Sequence, residues 1–288
     1  RQVITVSDGS RHTHGTSDGD SRRCRGGAGI LEEVGRVNKG KTIAPSILLW
    51  GVFAIFFVLY LSFSVLLWPV LLVWASALSV YMLLNYERPQ LRQVGVSLAL
   101  ALAAAISTSV ASHSLSAGAA LVFASTLVCS MAMFGVHGSV GGFAIIREGG
   151  KGAVLVSIVV GVVVGVSLGV VNCLFGMSNA PIVPSLSMDK LIASLSPAIM
   201  EEVVCRAAFM VFCLATYGRD RSRPRTLTMW FMMVVPHALA HQYGLVESAV
   251  LALLFGLPFA VLQRRRDVAS AMIAHGLVDL MRFVAFGR

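Results

Sequence analysis

The stretch AVLVSIVVGVVVGVSLGVVNCLF, residues 153–175, runs for 23 positions without a charged side chain. A helix that crosses the hydrocarbon core of a bilayer needs about 20 consecutive, predominantly apolar residues. The stretch is long enough and apolar enough to meet that requirement. It therefore predicts a transmembrane α-helix, and with it a membrane protein.

The rest of the chain has the same character. Hydrophobic residues make up 56% of its 288 residues, charged residues only 13%, and the mean hydropathy is +0.79. No ordinary water-soluble domain of this length has such values, so we predict a polytopic protein whose partner is the lipid bilayer. The five cysteines are scattered and form no CxxC pair, which argues against a disulfide framework or a thiolate metal site.

Short polar interruptions divide the chain after residue 42 into apolar segments. Because the break at Trp68-Pro69 is weak, the sequence predicts eight or nine spans. The fold class expected is thus all-α, a polytopic transmembrane helical bundle. The predicted segments are 43–65, 67–84, 93–112, 117–136, 153–175, 189–217, 226–243, 246–262 and 268–286.

Arginine and lysine collect at every second connection. They cluster before residue 42, around residues 88–92, at 147–151, at 219–225 and at 264–266, whereas the connections between these lack basic clusters. The pattern follows the positive-inside rule and predicts a multi-pass protein of the cell membrane with a cytosolic amino terminus. The net charge of +9 then reflects orientation and contact with anionic lipid, and no nucleic-acid partner is predicted.

Residues 1–41 differ from the rest of the chain. They are rich in Gly, Ser, Asp, His and Arg and have no apolar periodicity up to about Gly29. We predict a disordered cytosolic tail. The chain begins with Arg1 rather than Met, which we take to indicate a fragment or an altered start.

Ionisable residues within the apolar segments are concentrated in the last third of the chain. A carboxylate at the centre of a membrane helix costs roughly 2.5–3.5 kcal/mol on insertion scales, so such residues are normally retained for chemistry or transport. They are therefore the candidate functional residues. The set is Glu201, Glu202, Arg206, His237, His241, His275 and Asp279.

Two adjacent carboxylates are the strongest feature of this set. Ser196 and Pro197 just before them resemble an N-cap and a first helical position, so a helix is predicted to start there. On an α-helix, Glu202 and Arg206 lie four residues apart on one face and can form an ion pair. Glu201 then points about 100° away and remains available to a substrate or a water molecule.

The histidines occur at helical spacing too. His237 and His241 lie four residues apart, as do His275 and Asp279. Two histidines facing a carboxylate suit a metal or a proton transfer, and an aspartate one turn from a histidine can orient its ring. At 1.5 Å per residue, His275 and Asp279 lie only about 13 and 20 Å from the basic end of their helix. Glu201 and His241 lie about 27 and 24 Å from theirs, so the four converge only if the last helix is tilted or offset.

Three motifs together resemble a known family. EEVVCR, residues 201–206, resembles the motif EExxxR; HALAHQ, residues 237–242, resembles FxxxH; and AHGLVD, residues 274–279, resembles HxxxN/D. With the intervening FGLPFAVLQRRRD, this order is similar to the CPBP family of CAAX-protease and bacteriocin-processing intramembrane proteases. The resemblance covers about residues 187–286. It implies that residues 177–288 form a CPBP-like catalytic transmembrane core, preceded by N-terminal transmembrane helices in residues 42–176.

The resemblance implies an intramembrane endopeptidase that cleaves a membrane-associated protein or peptide, CAAX-type or bacteriocin-like. Glu201 would activate a water with His241 sharing the proton, His275 would donate to the oxyanion with Asp279 fixing its ring, and Arg206 would hold Glu202. No cofactor is certain from the sequence. If a divalent metal such as zinc takes part, its expected ligands are Glu201, His237, His241 and His275.

Two positions depart from the family pattern. His237 stands where the family usually has Phe, so we expect His241 to be the working histidine and His237 to be a packing residue. Asp279 replaces the commoner Asn. Two alternatives remain open from the sequence: a membrane scaffold or bacteriocin-immunity protein without catalysis, and an ion- or proton-coupled transporter that uses the same buried charges as a relay.

Overall fold

Helices make up all regular structure in the part of the chain that the structure describes, as the apolar segments predict. The computed structural model describes residues 43–63, 65–114, 116–137, 139–140, 142–178, 181–218 and 222–287. The predicted disordered tail, 1–41, lies outside these residues. Residues 42–288 form one unit, and the functional division predicted at residue 176 remains a prediction.

Ten helices follow one another along the described residues. The seventh contains a π-helical first half, Pro197–Ala207, and an α-helical second half, Ala208–Tyr217, and the ninth contains a short π-helical stretch at Ala252–Gly256. They are α1 (Ile43–Leu61), α2 (Leu67–Asn85), α3 (Leu91–Ser112), α4 (Ala117–His137), α5 (Gly150–Met177), α6 (Met188–Ala193), α7 (197–217), α8 (Arg223–Ala240), α9 (Leu245–Arg265) and α10 (Val268–Phe286).

Six of the described helices are long and apolar enough to cross a membrane, namely α2, α3, α4, α5, α9 and α10. The apolar run of α1, Pro45–Leu61, is shorter than a full span. Helix α7 contains Glu201, Glu202 and Arg206, and α8 begins with Arg223 and Arg225. Composition alone therefore does not identify these two helices as membrane spans. The protein is therefore a multi-pass membrane protein, but the predicted count of eight or nine spans is not confirmed.

A row of glycines allows α5 and α10 to approach closely. A Cβ atom added at Gly161 would lie 2.8 Å from the carbonyl oxygen of Ser270, and one at Gly165 would lie 2.8 Å from that of Ala274. Small residues let membrane helices pack at such short distances. The close packing fixes the position of α10, which carries two of the candidate site residues.

A buried aspartate links the ends of the same two helices. Asp267 caps α10 by accepting from the N–H of Ser270 at 2.7 Å, and its other oxygen accepts from the hydroxyl of Ser157 in α5 at 2.5 Å. The backbone N–H of Arg147 also donates to it, at 3.2 Å. Burial raises the pKa of Asp267, but these hydrogen bonds outweigh the burial and hold its pKa below the usual range.

Asp267→Asn should lower the free energy of unfolding by about 2 kcal/mol at neutral pH, because buried donors lose their charged acceptor. Since the folded-state pKa lies below the unfolded value, the contribution of the carboxylate is complete above the unfolded pKa of about 3.9 and is lost as the pH falls through the folded pKa. The deficit of the variant should therefore be constant above about pH 5 and shrink in acid. Thermal unfolding of both proteins in detergent, as a function of pH, measures this difference in stability. Asp189→Asn is the matched control, because Asp189 is exposed. An equal loss of stability in both variants would contradict the role of Asp267 as a buried, charged acceptor.

Candidate active site

The two adjacent carboxylates lie on the π-helical half of α7, and every residue from Ala198 to Ala207 is buried. A π-helix closes its hydrogen bonds five residues apart, which differs from the α-helix expected here, and such segments occur frequently at functional sites. The helix begins at Pro197 as predicted, but Ser196 is not its side-chain cap. The backbone N–H of Ser196 donates to the hydroxyl of Ser107, and the hydroxyl of Ser196 is hydrogen-bonded to that of Thr108. Helix α3 therefore holds the start of α7.

Glu202 is fully buried and surrounded by donors. Arg206 forms the predicted ion pair with it through Nη1 and Oε1, and Nδ1 of His275 lies 2.6 Å from the same oxygen. Gln263 in α9 donates from Nε2 to Oε2 at 2.7 Å. Phe259 packs under the guanidinium of Arg206, which lies 5.3 Å from the ring centre. Glu202 thus joins α7, α9 and α10 in one buried polar network.

Glu201 points into a cavity and is 8% exposed. Its Oε2 lies 2.5 Å from Nε2 of His237 and 3.5 Å from Nε2 of His275. Helices α8 and α10 therefore converge on Glu201, an arrangement that the spacing allowed only if the last helix is tilted or offset. Glu201 has the position of a carboxylate that can act on a bound molecule, whereas Glu202 is enclosed.

His237 has a second contact that determines where its ring proton lies. Its Nδ1 is 2.9 Å from Nη2 of Arg206. A guanidinium can only donate hydrogen bonds, so Nδ1 accepts and the proton of the neutral ring lies on Nε2, facing Glu201. His237 is thus in direct contact with both motif residues Glu201 and Arg206, although the sequence favoured a packing role for it.

His241 directly follows the last residue of α8 and is less buried than His237. The two rings are 4.9 Å apart, and Tyr243 stacks on His241 at 5.7 Å. Trp68 of α2 contacts both imidazoles edge-on, at 5.7 and 5.3 Å. Sequence reasoning did not find Trp68, because an aromatic residue at a helix start gives no signal that it packs on a distant site.

His275 lies between the two glutamates and stacks on Phe259 at 4.6 Å. The contact to Nδ1 that orients its ring comes from Glu202, whereas the sequence suggested Asp279 for that role. Oδ2 of Asp279 faces the other nitrogen, Nε2, at 3.6 Å, which is too long for a hydrogen bond. Nε2 and the Asp279 carboxyl both point toward the cavity.

One cavity of about 230 Å³ is lined by Glu201, Arg206, His237, His241, His275 and Asp279. The site residues of α7 and α8 lie at the ends that are remote from the basic connections, whereas His275 and Asp279 lie in the middle of α10. Arg223 and Arg225 begin α8, and Asp267 precedes α10 after three arginines. The basic connections gather at the other end, where Arg264 donates to the carbonyl of Gly142 and Arg147 to that of Arg265.

Residues 184–281 match the family model described as Type II CAAX prenyl endopeptidase Rce1-like. This segment is of the CPBP family. The resemblance predicted from the three motifs is confirmed, and the match covers about a third of the chain. No curated protein and no solved structure matches the chain. Because the CPBP family is one of proteases, the match favours an enzyme over the scaffold and transporter alternatives.

The CPBP segment contains all seven of the predicted site residues. Two further polar residues of the cavity lie outside it. Asn172 in α5 precedes the segment, and Arg282 in α10 follows its last residue. Nη1 of Arg282 donates to Oδ1 of Asn172 at 3.0 Å. Sequence reasoning did not select either one, because neither belongs to a motif.

A divalent metal at this site would need several ligand atoms that lie close together and carry no proton. In the described part of the chain, one group of three potential ligand atoms lies within 4.8 Å of one another, on Glu201, His237 and His241. A histidine ligates through a nitrogen without a proton, but Nε2 of His237 carries the proton and Nδ1 accepts from Arg206. In this group Glu201 and His241 then remain, fewer than the three protein ligands of catalytic zinc sites, so this group does not fit zinc.

Proposed function

We propose that the protein is an intramembrane endopeptidase that hydrolyses a peptide bond of a membrane-associated substrate with a water activated by Glu201. The observation that carries this is a buried carboxylate facing a polar cavity, in contact with His237 and His275, within a segment of a protease family. A CAAX-type protein or a bacteriocin-like peptide is the proposed class of substrate.

The first step is attack by water on the scissile carbonyl carbon. The potential ligand atoms of Glu201 and His241 lie within 4.8 Å of each other, a separation that one water molecule can bridge with two hydrogen bonds of about 2.8 Å. Glu201 takes a proton from the water while the water oxygen bonds to the carbonyl carbon. Nε2 of His237 lies 2.5 Å from Oε2 of Glu201 and so limits the directions in which the carboxylate can act.

The second step is collapse of the tetrahedral intermediate. A protonated Nε2 of His275 can donate to the oxyanion, and the Glu202 contact to Nδ1 holds the ring in place. When the C–N bond breaks, Glu201 returns its proton to the leaving nitrogen. The products are a carboxyl terminus and a free amine, and the base is restored. This sequence passes through no metal, in agreement with the proton on His237.

We also propose the predicted orientation, in which the basic connections lie on the cytosolic side of the cell membrane. The tail before residue 42 and the connections near Arg147 and Arg264 would then face the cytosol. The cavity lies toward the opposite ends of α7 and α8, so a substrate would enter from the outer half of the membrane. Labelling of single cysteines introduced at Arg92 and Glu247 in intact cells distinguishes the two faces.

The purified full chain in lipid nanodiscs should cleave members of a labelled peptide library, and a chelator should leave the rate unchanged. His241→Ala should lower kcat/KM by about 10²-fold, because the water loses its second partner. His237→Phe, which inserts the usual family residue, should lower it by about tenfold, since Glu201 loses the polar imidazole that lies 2.5 Å from its Oε2. Mass spectrometry of the products and initial rates measure these effects.

His113→Ala is the control for the histidine changes, because it replaces an exposed histidine at the end of α3. Stoichiometric zinc in the wild type, lost together with activity in His237→Phe, would show that the metal-free mechanism is wrong. Full activity of His241→Ala would remove that residue from the mechanism.

A further inference from the structure

An apolar groove of about 460 Å³ runs between α1, α8 and α9 and shares no lining residue with the catalytic cavity. Its lining residues are apolar except for Thr228. Trp50 of α1 forms one wall, with Leu253 and Leu257 of α9 opposite, and all three are exposed at the surface. Empty space beside apolar atoms forfeits van der Waals contacts, so in a bilayer such a groove is filled by a chain of similar chemistry.

The part of the groove on α8 has the length of one membrane leaflet. Pro224, Leu227, Phe231 and Val235 recur every three or four residues and therefore form one stripe along the helix. From the first to the last of them the helix rises about 16.5 Å. One leaflet takes half of the hydrocarbon core, about 15 Å. The groove is thus long enough to hold an acyl chain that enters from one face of the membrane.

Positive charge lies at one end of this groove. Pro224, its first lining residue on α8, stands between Arg223 and Arg225. Arg223 is exposed, and among the described residues no carboxylate oxygen lies within 4.0 Å of it. The guanidinium of Arg225 lies 5.3 Å from the ring centre of Tyr217. Residues 219–225 together carry four arginines and one aspartate, so this connection attracts anions.

We propose that the groove binds one anionic phospholipid, with an acyl chain along α8 and the phosphate at Arg223 and Arg225. A basic group at the mouth of a groove between membrane helices suits an anionic head group. A guanidinium matches the oxygens of a phosphate with two parallel donors. A zwitterionic lipid offers the same chain but brings a second cation to the arginines, so the head group decides the affinity. The site is separate from the catalytic cavity and does not depend on peptide cleavage.

Tryptophan fluorescence tests the site, because Trp50 and Trp230 line the groove and bromine on an acyl chain quenches a nearby indole. The full chain is placed in phosphatidylcholine nanodiscs with a small, varied fraction of brominated phosphatidylglycerol or of brominated phosphatidylcholine. Half-maximal quenching should need at least about fivefold less of the anionic lipid. In the double variant Arg223→Gln with Arg225→Gln the ratio should fall to about one.

Two further variants keep the test decisive. Arg223→Gln alone, at an exposed position, should lower the ratio to no more than about half of the wild-type value even if the double variant is unstable. Arg92→Gln is the matched control, because it makes the same change at an exposed arginine of another basic connection, and it should keep the wild-type ratio.

The variant Trp50→Phe locates the bound chain. It removes one of the two indoles of the groove, while an aromatic ring remains beside Phe231, so much of the selective quenching should disappear. Selective quenching that is unchanged in Trp50→Phe would place the lipid elsewhere and overturn the proposal. Equal quenching by the two lipids in the wild type, or a wild-type ratio in both arginine variants, would also overturn it. None of these outcomes bears on whether the protein cleaves peptides.

Discussion

Glu201→Gln should abolish peptide cleavage, with a loss of about 10²–10⁴-fold in kcat, while the protein still folds. The amide keeps the shape of the side chain and can still contact His237, but it cannot take a proton from water. The thermal midpoint in detergent should stay within about 3 °C of the wild type, because the buried ion pair of Glu202 is untouched. Initial rates with the best library peptide, together with thermal unfolding, provide both measurements.

Glu247→Gln is the matched control, since it makes the same change at an exposed carboxylate in α9. It should leave both rate and midpoint unchanged. If Glu201→Gln retained more than about a tenth of the activity, the assignment of Glu201 as the general base would be wrong. A loss of activity accompanied by a large fall in the midpoint would mean that Glu201 is needed for folding instead.

Arg206→Met should have the largest effect on stability, a loss of about 3–5 kcal/mol, because it leaves the buried charge of Glu202 without its main partner. The side chain of Arg206 is buried against Phe259 and also donates to His237. Methionine keeps much of the volume, so the effect is due mainly to the lost charge and hydrogen bonds. Unfolding in mixed micelles measures the free-energy difference.

The double variant Glu202→Gln with Arg206→Met tests this reason directly. Removing both charges should destabilise the protein less than the sum of the single changes, with a coupling of about 0.5–3 kcal/mol. The exposed Arg92→Gln should change stability by less than about 0.5 kcal/mol. Additive losses in the double variant would contradict the buried ion pair as the source of the effect.

Motif spacing predicted most of the groups that meet in the cavity. Glu201, His241, His275 and Asp279 were all selected from the sequence, and all line it. The reason is that a charge inside an apolar segment is costly, so those few residues stood out from their neighbours. The ion pair of Glu202 with Arg206 was predicted for the same reason.

The contacts between helices could not be predicted in this way. Gln263 donates to Glu202 across 61 residues of sequence, and Trp68 in α2 contacts both His237 and His241. Uncharged or singly placed residues of this kind do not differ from many others in the sequence. The π-helical form of α7 was also missed, since apolar periodicity predicts a helix but does not separate hydrogen bonds that span four residues from those that span five.

The sequence by itself determined that this is a helical membrane protein with a protease-family segment, because long uncharged runs and costly buried charges are local properties of the chain. Tertiary structure alone decided which atoms of those residues meet. It placed Arg206 against Nδ1 of His237, which puts the ring proton on the side of Glu201, and it placed Arg282 beside Asn172 at the edge of the cavity. Such assignments depend on distances of a few ångströms between separate helices, which are set by their packing and not by spacing along any one of them.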